Sequence, residues 1–489
     1  MVIPVETFFL DPQAQGTLQA QVQQMISAGI LSGRFRRGEK LPSTRKLAQQ
    51  LGISRITVTL AYTELVANDY LTSRGRSGYF VSDNAPEPMP ERSEPGGGVP
   101  VDWSRAIGQH YTSNFALERP LDWSRYRYSF LYGQTDPTLF DHAHWRLCAL
   151  RALGQKDFQA MTADLYDQDD PQLIEFILRH SLPRRGIHAR PSEVLLTLGA
   201  QNALWLTAQV LLNRQRKAAI ENPCYPALRD ILTQSRCQLA AIDVDEHGLP
   251  PEAIPDGTDV IFTTPSHQCP TSATMPVDRR RRLLARARDM GALIVEDDYE
   301  FEMSFLAPAS PALKSLDADG RVIYVGSFSK SLFPGLRLGY LVGSEPFIRE
   351  ARALRASVLR HPPGHIQRTA AYFLSLGHYD AQIRRMSKAL AERRAVMEEA
   401  IRQYGLDIAG TRSFGGSSLW MRAPEGTDMR EVAARLRQQG VLFETGDRFF
   451  NGPDVPQNYY RLAYSSIPAE RIPQGIRLIA EALRMKDGD

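Results

Sequence analysis

The sequence predicts a multidomain protein: a small N-terminal α+β module, then a larger C-terminal α/β module with a mostly parallel sheet and a smaller α+β lobe. Three observations support this. The chain has 489 residues, more than a single hydrophobic core usually serves. Residues 84–100, NAPEPMPERSEPGGGVP, are too poor in aliphatic side chains to order themselves by burial. Beyond them, short apolar runs alternate with amphipathic helical patterns, which indicates βαβ units.

Composition narrows the class of protein. Hydrophobic residues make up 43% and charged residues 23%, as in a typical globular protein, and no apolar run approaches the ~20 residues that span a bilayer. The N-terminus, MVIPVETFFLDPQ, lacks the basic start of a signal peptide. The four cysteines are scattered without a CxxC pair, so we expect no metal site, no disulfides and a cytoplasmic protein without membrane attachment.

Three helical patterns and a hairpin fill residues 17–82. The first helix should end near Gly33. Ser43 and Ser54 are plausible N-caps for TRKLAQQL and RITVTLAYTELVAND, which are separated by a turn at Gly52. Two short helices joined by such a turn describe a helix-turn-helix, and the hairpin within DYLTSRGRSGYFVS would form its wing.

Basic side chains gather at the helix starts and the wing, where a winged helix touches DNA; they are Arg45, Lys46, Arg55, Arg74 and Arg76. Thr57 and Thr59 lie near the start of the third helix. An ordinary small helical domain with a hairpin is the alternative on this pattern alone. We place the DNA-binding domain at 13–83, a linker at 84–104 and the C-terminal module at 105–489.

The C-terminal module contains seven strand-like runs, EVLLTL, KAAIE, QLAAIDV, DVIFTT, ALIVED, RVIYVGS and LGYLVG. Long helices follow residue 362, and then mixed short elements that predict the smaller lobe. Ligands of open α/β sheets lie beyond the carboxyl ends of the strands. The polar or small residues that end or follow these runs include Ala200, Gln201, Tyr225, Asp297, Tyr299, Ser327, Lys330 and Arg337.

Together these residues supply what pyridoxal 5'-phosphate needs from a protein. The cofactor requires a lysine for its imine, a carboxylate at its pyridine nitrogen, an aromatic face, donors for its phosphate and a partner for its ring hydroxyl. Each residue also has a simpler explanation: a strand-end lysine can extend to solvent, paired aspartates often cap helices, and a tyrosine between prolines can serve loop packing. The joint occurrence favours the cofactor.

The stretch SFSKSLFPGLRLGY resembles the lysine motif of fold-type I aminotransferases of class I/II, and the resemblance extends over nearly all of residues 105–485. It implies that Lys330 forms the internal aldimine, Asp297 pairs with the pyridine nitrogen, Tyr225 stacks on the ring and Tyr299 bonds its hydroxyl. It also implies that the phosphate is held by Ala200, Gln201, Ser327 and Arg337. YYRLAYS resembles the segment whose arginine binds a substrate carboxylate, which makes Arg461 the candidate anchor.

Two segments depart from that family's pattern. TPSHQCPTS places Cys269 where the family has an asparagine that touches the ring hydroxyl, and a thiol is a weak donor. The glycine-rich segment of the family is replaced by YDQDDPQLIEFI, to which we assign no ligand.

The stretch GILSGRFRRGEKLPSTRKLAQQLGISRITVTLAYTEL closely resembles the GntR winged-helix family. The resemblance implies DNA contacts by Ser43, Arg45, Ser54, Arg55, Thr57 and Arg74. The combination of both modules resembles the MocR subfamily of bacterial transcription regulators, which form head-to-tail homodimers near the nucleoid.

This resemblance implies a regulator that binds a double-stranded DNA operator and senses an amino compound through external aldimine formation, with Arg461 holding an acidic group, rather than a metabolic enzyme. Members of the subfamily respond to γ-aminobutyrate, taurine, ectoine-derived amino acids or the vitamin itself, and the sequence does not select among them. The alternative is a working aminotransferase that carries a DNA-binding module, and residual transaminase activity is compatible with the residues present.

Overall fold

The computed structural model describes residues 2–10, 16–86, 101–109, 111, 120, 122–164, 166–307, 310–411 and 415–484. The chain divides into two compact units, and the division falls between residues 110 and 111. Residues 87–100, most of the expected linker, lie outside the described residues, and the domain limits 13–83, 84–104 and 105–489 remain predictions.

In the first unit, a run of helices and a hairpin comprises α1 (Leu18–Leu31), α2 (Thr44–Leu51), α3 (Arg55–Ala67), β1 (Leu71–Ser73) and β2 (Tyr79–Val81). The hydroxyls of Ser43 and Ser54 accept hydrogen bonds from the backbone N–H groups of Lys46 and Ile56, so both serines cap helices as their sequence context indicates. The buried residues of α3 are Val58, Ala61, Tyr62 and Leu65, one stripe at helical spacing.

The hairpin is antiparallel, with Leu71 opposite Val81 and Ser73 opposite Tyr79. It follows α3 directly and supplies the wing that the sequence predicts. The helix-turn-helix turn is sharp because Gly52 adopts a left-handed conformation (φ 66°) at the end of α2.

A short helix, α4 (Trp103–Ala106), precedes the second unit. That unit begins with β3 (Tyr128–Ser129), and three helices follow, α5 (His142–Ala152), α6 (Gln155–Met161) and α7 (Pro171–Phe176). Its seven-stranded sheet contains β4 (Val194–Thr197), β5 (Lys217–Asn222), β6 (Gln238–Asp243), β7 (Val260–Thr263), β8 (Leu293–Asp297), β9 (Val322–Ser327) and β10 (Gly339–Val342). The helices between these strands are α8 (Ala200–Leu211), α9 (Pro226–Gln234) and α10 (Val277–Met290).

The strand order is β4-β10-β9-β8-β7-β5-β6, and every neighbouring pair is parallel except those that β10 forms with β4 and β9. The expected mostly parallel sheet is therefore confirmed, with one antiparallel strand inside it. Central strands such as β7 and β9 are buried along their whole length, as their continuous apolar runs indicate.

The smaller lobe follows three helices, α11 (Glu345–Leu359), α12 (Gly364–Ser375) and α13 (His378–Tyr404). It comprises β11 (Asp407–Ile408), β12 (Ser418–Arg422), α14 (Met429–Gln438), β13 (Val441–Leu442), β14 (Glu444–Thr445), β15 (Tyr459–Ala463) and α15 (Ile472–Arg484). Four strands form an antiparallel sheet in the order β11-β12-β15-β14, and β13 pairs with β3 in parallel. Within the described part of the chain, no helix has the length and apolar character required to span a bilayer.

Candidate functional site

Lys330 lies in the loop that follows the buried strand β9, at the carboxyl edge of the large sheet. It is half-buried, and its Nζ lies 3.8 Å from the centroid of the Tyr132 ring. Its positive charge is one of the influences that act to lower the pKa of Asp297 and of Glu300, so both carboxyl groups lie near it. The sequence analysis did not single out Tyr132, which follows no strand-like run, and it gave no role to Glu300, which comes directly after Tyr299.

Asp297 is the last residue of β8 and is 7% exposed. Its Oδ1 has no hydrogen-bond partner among the residues described here. Burial, with the nearby charges of Asp298 and Glu221, raises its pKa to about 7 against the opposing effect of Lys330. A buried carboxylate with an open oxygen at this edge suits a cationic N–H group of a ligand.

Small residues and an arginine form a cradle at the start of α8. Gly199 precedes the helix with φ 82°, and a Cβ added there would lie 3.1 Å from Nη2 of Arg337. Arg337 is exposed and donates from the same nitrogen to the carbonyl of Leu198 at 3.1 Å. The helix N-terminus and the guanidinium together favour an anion.

The remaining residues of the cradle lie in the first turn of α8 and at the end of β9. Ala200 is half-buried and Gln201 exposed in the first turn of α8. The Oγ of Ser327 accepts a hydrogen bond from the backbone N–H of Ser329 at 3.2 Å. The Oγ of Ser329 is buried without a partner in the described structure. The loop after β9 thus presents a second hydroxyl that the strand-end pattern did not assign.

Aromatic side chains bound the site on a further side. A small pocket is lined by Tyr225, Glu221, Thr264 and Asp297, among others. Tyr225 is half-buried and packs, with Tyr299, against a cluster of Cys269, Trp420 and Phe449. Burial raises the pKa of Cys269 to about 12, so this side chain stays a neutral thiol.

Arg461 lies on β15 and is 5% exposed. Its Cζ lies 3.8 Å from the ring centroid of Tyr132 and 4.7 Å from that of Phe449. Its Nε donates to Oε2 of Glu444 at 2.8 Å, and Nη1 lies 3.8 Å from Sγ of Cys269. Burial alone would lower the pKa of Arg461, but Glu444, Cys269 and Tyr132 together raise the pKa overall. The guanidinium therefore stays charged.

Glu300 adds an ionised carboxylate to the pocket that Lys330 lines. Burial would raise its pKa, but His267, with Nε2 at 3.2 Å from Oε2, together with Lys330 and Ser417, lowers the pKa overall. Ser417 donates to the other oxygen of Glu300. The site therefore contains a paired anion close to its lysine.

The altered segment YDQDDPQLIEFI serves packing. Arg355 donates to Oδ1 of Asp169 at 2.6 Å, and Arg352 to Oδ2 at 2.9 Å. Asp170 caps α7 by accepting from the N–H groups of Gln172 and Leu173. Asp169 thus ties this segment to α11, and Asp170 caps the helix α7 that lies within the segment.

The residues present fit pyridoxal phosphate. Asp297 offers an open buried oxygen, the Gly199–Arg337 cradle suits an anion, Lys330 offers an amine, and Tyr225 lines the same pocket as Asp297. These four features are chemically different from one another, and the strand ends bring them to one edge of the sheet. The roles of the individual residues, including Tyr299, Ser327 and Arg461, remain predictions.

In the first unit, Arg45, Arg55 and Arg74 are exposed, and Thr57 is half-buried. The Nε of Arg55 lies 3.4 Å from Oγ1 of Thr44, and Arg74 lies over the Phe80 ring at 4.8 Å. Ser43 and Ser54 use their hydroxyls to cap α2 and α3. The three arginines are exposed, as contacts to phosphates or base edges require. The two serines fix the starts of α2 and α3.

Replacing Gly199 with alanine should weaken cofactor binding about tenfold, because the new methyl group would crowd the Arg337 guanidinium that completes the cradle. Equilibrium dialysis with pyridoxal phosphate measures this affinity. Gly248→Ala is the matched control, since Gly248 has the same φ of 82° and its added Cβ would meet only Met275 Cε at 4.0 Å. Equal losses in both variants would show backbone strain rather than the cradle.

Comparisons with known proteins match both units. Residues 18–81 match the bacterial regulatory proteins of the gntR family, and residues 141–479 match aminotransferase class I and II. The chain is 58% identical to the HTH-type transcriptional regulator TauR of Rhodobacter capsulatus, over 99% of this chain and 100% of that protein. It is 30% identical to the probable rhizopine catabolism regulatory protein MocR of Rhizobium meliloti, over 97% and 95% of the two chains.

Among solved structures, the chain is similar to the kynurenine aminotransferase of Pyrococcus horikoshii, determined in complex with PMP. The match has 26% identity and a TM-score of 0.70, and it covers 78% of this chain and 98% of that one. The confirmed family assignment therefore rests on both units, and the aminotransferase-like fold implies use of pyridoxal phosphate.

Proposed function

Because this chain belongs to the MocR type of transcription regulators, with a gntR-family DNA-binding domain and a class I and II aminotransferase domain, we propose that it is a pyridoxal phosphate-dependent sensor of an amino compound. The observation that supports the proposal is the set of open groups around Lys330, above all the unpartnered buried oxygen of Asp297. DNA binding and regulation follow from the family. The proposal adds to them that the protein senses an amino compound.

Lys330, Asp297, Tyr225, Tyr299 and the cradle of α8 would hold the cofactor. Bound pyridoxal phosphate supplies an aldehyde that combines reversibly with primary amines. Lys330 is the protein's amine at that place and is half-buried, and an effector amine would take its place on the cofactor. Asp297, ionised by a cationic partner, would keep the pyridine nitrogen protonated.

The effector's acidic group would bind Arg461. The Tyr132 ring lies 3.8 Å from both Lys330 Nζ and Arg461 Cζ, so these two cationic groups are separated by at most twice that distance. This separation matches the length of a compact molecule with an amine at one end and an acid at the other. Its binding can shift DNA binding only through a difference in affinity for two states of the protein.

We infer that the regulator acts as a homodimer, arranged head to tail as in the subfamily it resembles. The large unit exposes an apolar patch on α5, α6 and the turn between them, formed by Leu147, Leu150, Leu153 and Phe158. Patches of this kind on soluble proteins commonly mark association surfaces. A second copy of the chain is the occupant that the family favours.

A substitution of Arg55 tests whether this residue belongs to the DNA-binding surface. We expect Arg55→Ala to weaken operator binding about tenfold and to reduce the slope of log affinity against log salt by about 1, because one phosphate contact is lost. The operator is selected from random duplexes by the full-length protein, and affinity is measured by fluorescence anisotropy at several salt concentrations. Arg281→Ala, at an exposed arginine of α10, is the control and should change neither quantity. An unchanged Arg55→Ala slope would remove Arg55 from the interface.

A working aminotransferase is the second candidate, supported by the presence of Lys330, Asp297 and Tyr299 in one site of an aminotransferase-like fold. Sustained conversion of a keto acid with an amine donor would favour this activity, whereas a spectral change that stops after amine binding would favour a sensor. Cys269, a neutral thiol close to Arg461 and Tyr299, is the feature that departs from the enzymes.

A further inference from the structure

The guanidinium of Arg461 is already paired with a carboxylate of this chain. Its Nε and Nη2 lie 2.8 and 2.7 Å from the same oxygen, Oε2 of Glu444. The two residues stand directly opposite each other on β15 and β14. Their side chains are 6% and 16% exposed, so water screens the pair weakly.

Other groups leave the guanidinium little freedom to move. Tyr132 and Phe449 contact it with their rings, and Cys269 Sγ lies 3.8 Å from Nη1. A thiol is a weak acceptor, so an incoming acid can compete with it for Nη1. The edge formed by Nε and Nη2, which suits a bidentate carboxylate, is the one that Glu444 covers.

We propose that Glu444 is an internal competitor of the effector's acidic group and thereby sets how tightly acid-bearing amines bind. This inference rests on the proposed function, in which Arg461 is the anchor. A second anion brought to Arg461 meets both a neutralised guanidinium and the negative charge of Glu444 in a buried pocket. The effector must share the arginine with Glu444 or displace it, whereas an amine without an acid does not meet this competition.

The test compares acid-bearing amines with plain amines on the full-length chain loaded with pyridoxal phosphate. β-Alanine is paired with n-propylamine, and γ-aminobutyrate with n-butylamine. Binding is followed by the cofactor's absorbance and, independently, by titration calorimetry. We expect Glu444→Gln to tighten binding of the two acids at least about tenfold and to leave the two plain amines unchanged.

A second substitution and a surface control separate charge from structure. Glu444→Asp keeps the charge but withdraws it from Arg461, so it should tighten acid binding by a smaller factor. Glu425→Gln removes an acidic group from an exposed turn of the same lobe and should have no effect. Weaker acid binding in Glu444→Gln, or an equal change for acids and plain amines, would overturn the proposal and leave Glu444 as a residue that only positions Arg461.

Arg461→Gln distinguishes this inference from the function on which it rests. Loss of the preference for acids in that variant supports the anchor, and the Glu444 result then stands by itself. An unchanged preference would refute the anchor whatever Glu444 does. A chain whose absorbance responds to none of the four amines would refute the proposed function and this inference with it.

Discussion

Replacing Lys330 with alanine should abolish the response of DNA binding to amines while leaving the DNA affinity of the effector-free protein unchanged. Lys330 is the amine at the edge of the sheet where Asp297 and the α8 cradle converge, so the variant cannot attach the cofactor covalently. We expect loss of the imine absorbance, no peptide labelled at this position after borohydride reduction, and less than about one tenth of the amine-dependent change in operator affinity.

Lys388→Ala is the matched control for that experiment, because Lys388 is an exposed lysine on α13 of the same unit. It should keep the absorbance, the labelled peptide at Lys330 and the response to amines. A full amine response in Lys330→Ala would exclude lysine displacement as the sensing step. A wild-type protein without imine absorbance would contradict covalent attachment itself.

Replacing Asp297 with asparagine should have opposite effects on cofactor binding and on stability. Asparagine cannot provide the negative charge that a protonated pyridine nitrogen needs, so we expect the affinity for pyridoxal phosphate to fall about 100-fold. Equilibrium dialysis and the pH dependence of the bound cofactor's spectrum measure this loss. Asp454→Asn, at an exposed loop position, is the control.

The stability effect follows from the pKa of Asp297, which is about 7 in the folded chain. In the unfolded chain it returns to its ordinary value of about 4, so between these pH values the folded state binds more protons and its stability falls as pH rises. Asparagine removes this penalty. At pH 8 we expect the free energy of unfolding of cofactor-free Asp297→Asn to exceed that of wild type by roughly 1–3 kcal/mol, with a smaller difference at pH 5.5.

Denaturant unfolding at the two pH values tests this expectation. If the variant gained no stability at pH 8, or gained equally at both values, burial of an ionisable Asp297 would not be the cause. A gain in ligand binding with a loss of folding stability is typical of functional sites, where a charged group is kept buried for a ligand.

Much of the fold could be predicted because its determinants are local. The apolar runs of β7, β8 and β9 end within a residue or two of the observed strands, and Ser43 and Ser54 cap α2 and α3 as their positions indicate. The convergence of Lys330, Asp297 and the start of α8 followed from one rule about strand ends. β10 departs from the parallel pattern, since it follows the loop of residues 328–338 and runs antiparallel to both neighbours.

The sequence by itself determined the two kinds of module, the strand ends and the residue types that a pyridoxal phosphate site requires, because helix capping, periodicity and strand boundaries depend on near neighbours in the chain. Only the tertiary structure decided which side chains surround Arg461. Glu444 reaches it through strand register, and Tyr132 reaches both it and Lys330 from a segment about 200 residues or more away in the chain. Contacts between distant segments depend on how whole strands and lobes pack, and no local pattern records them.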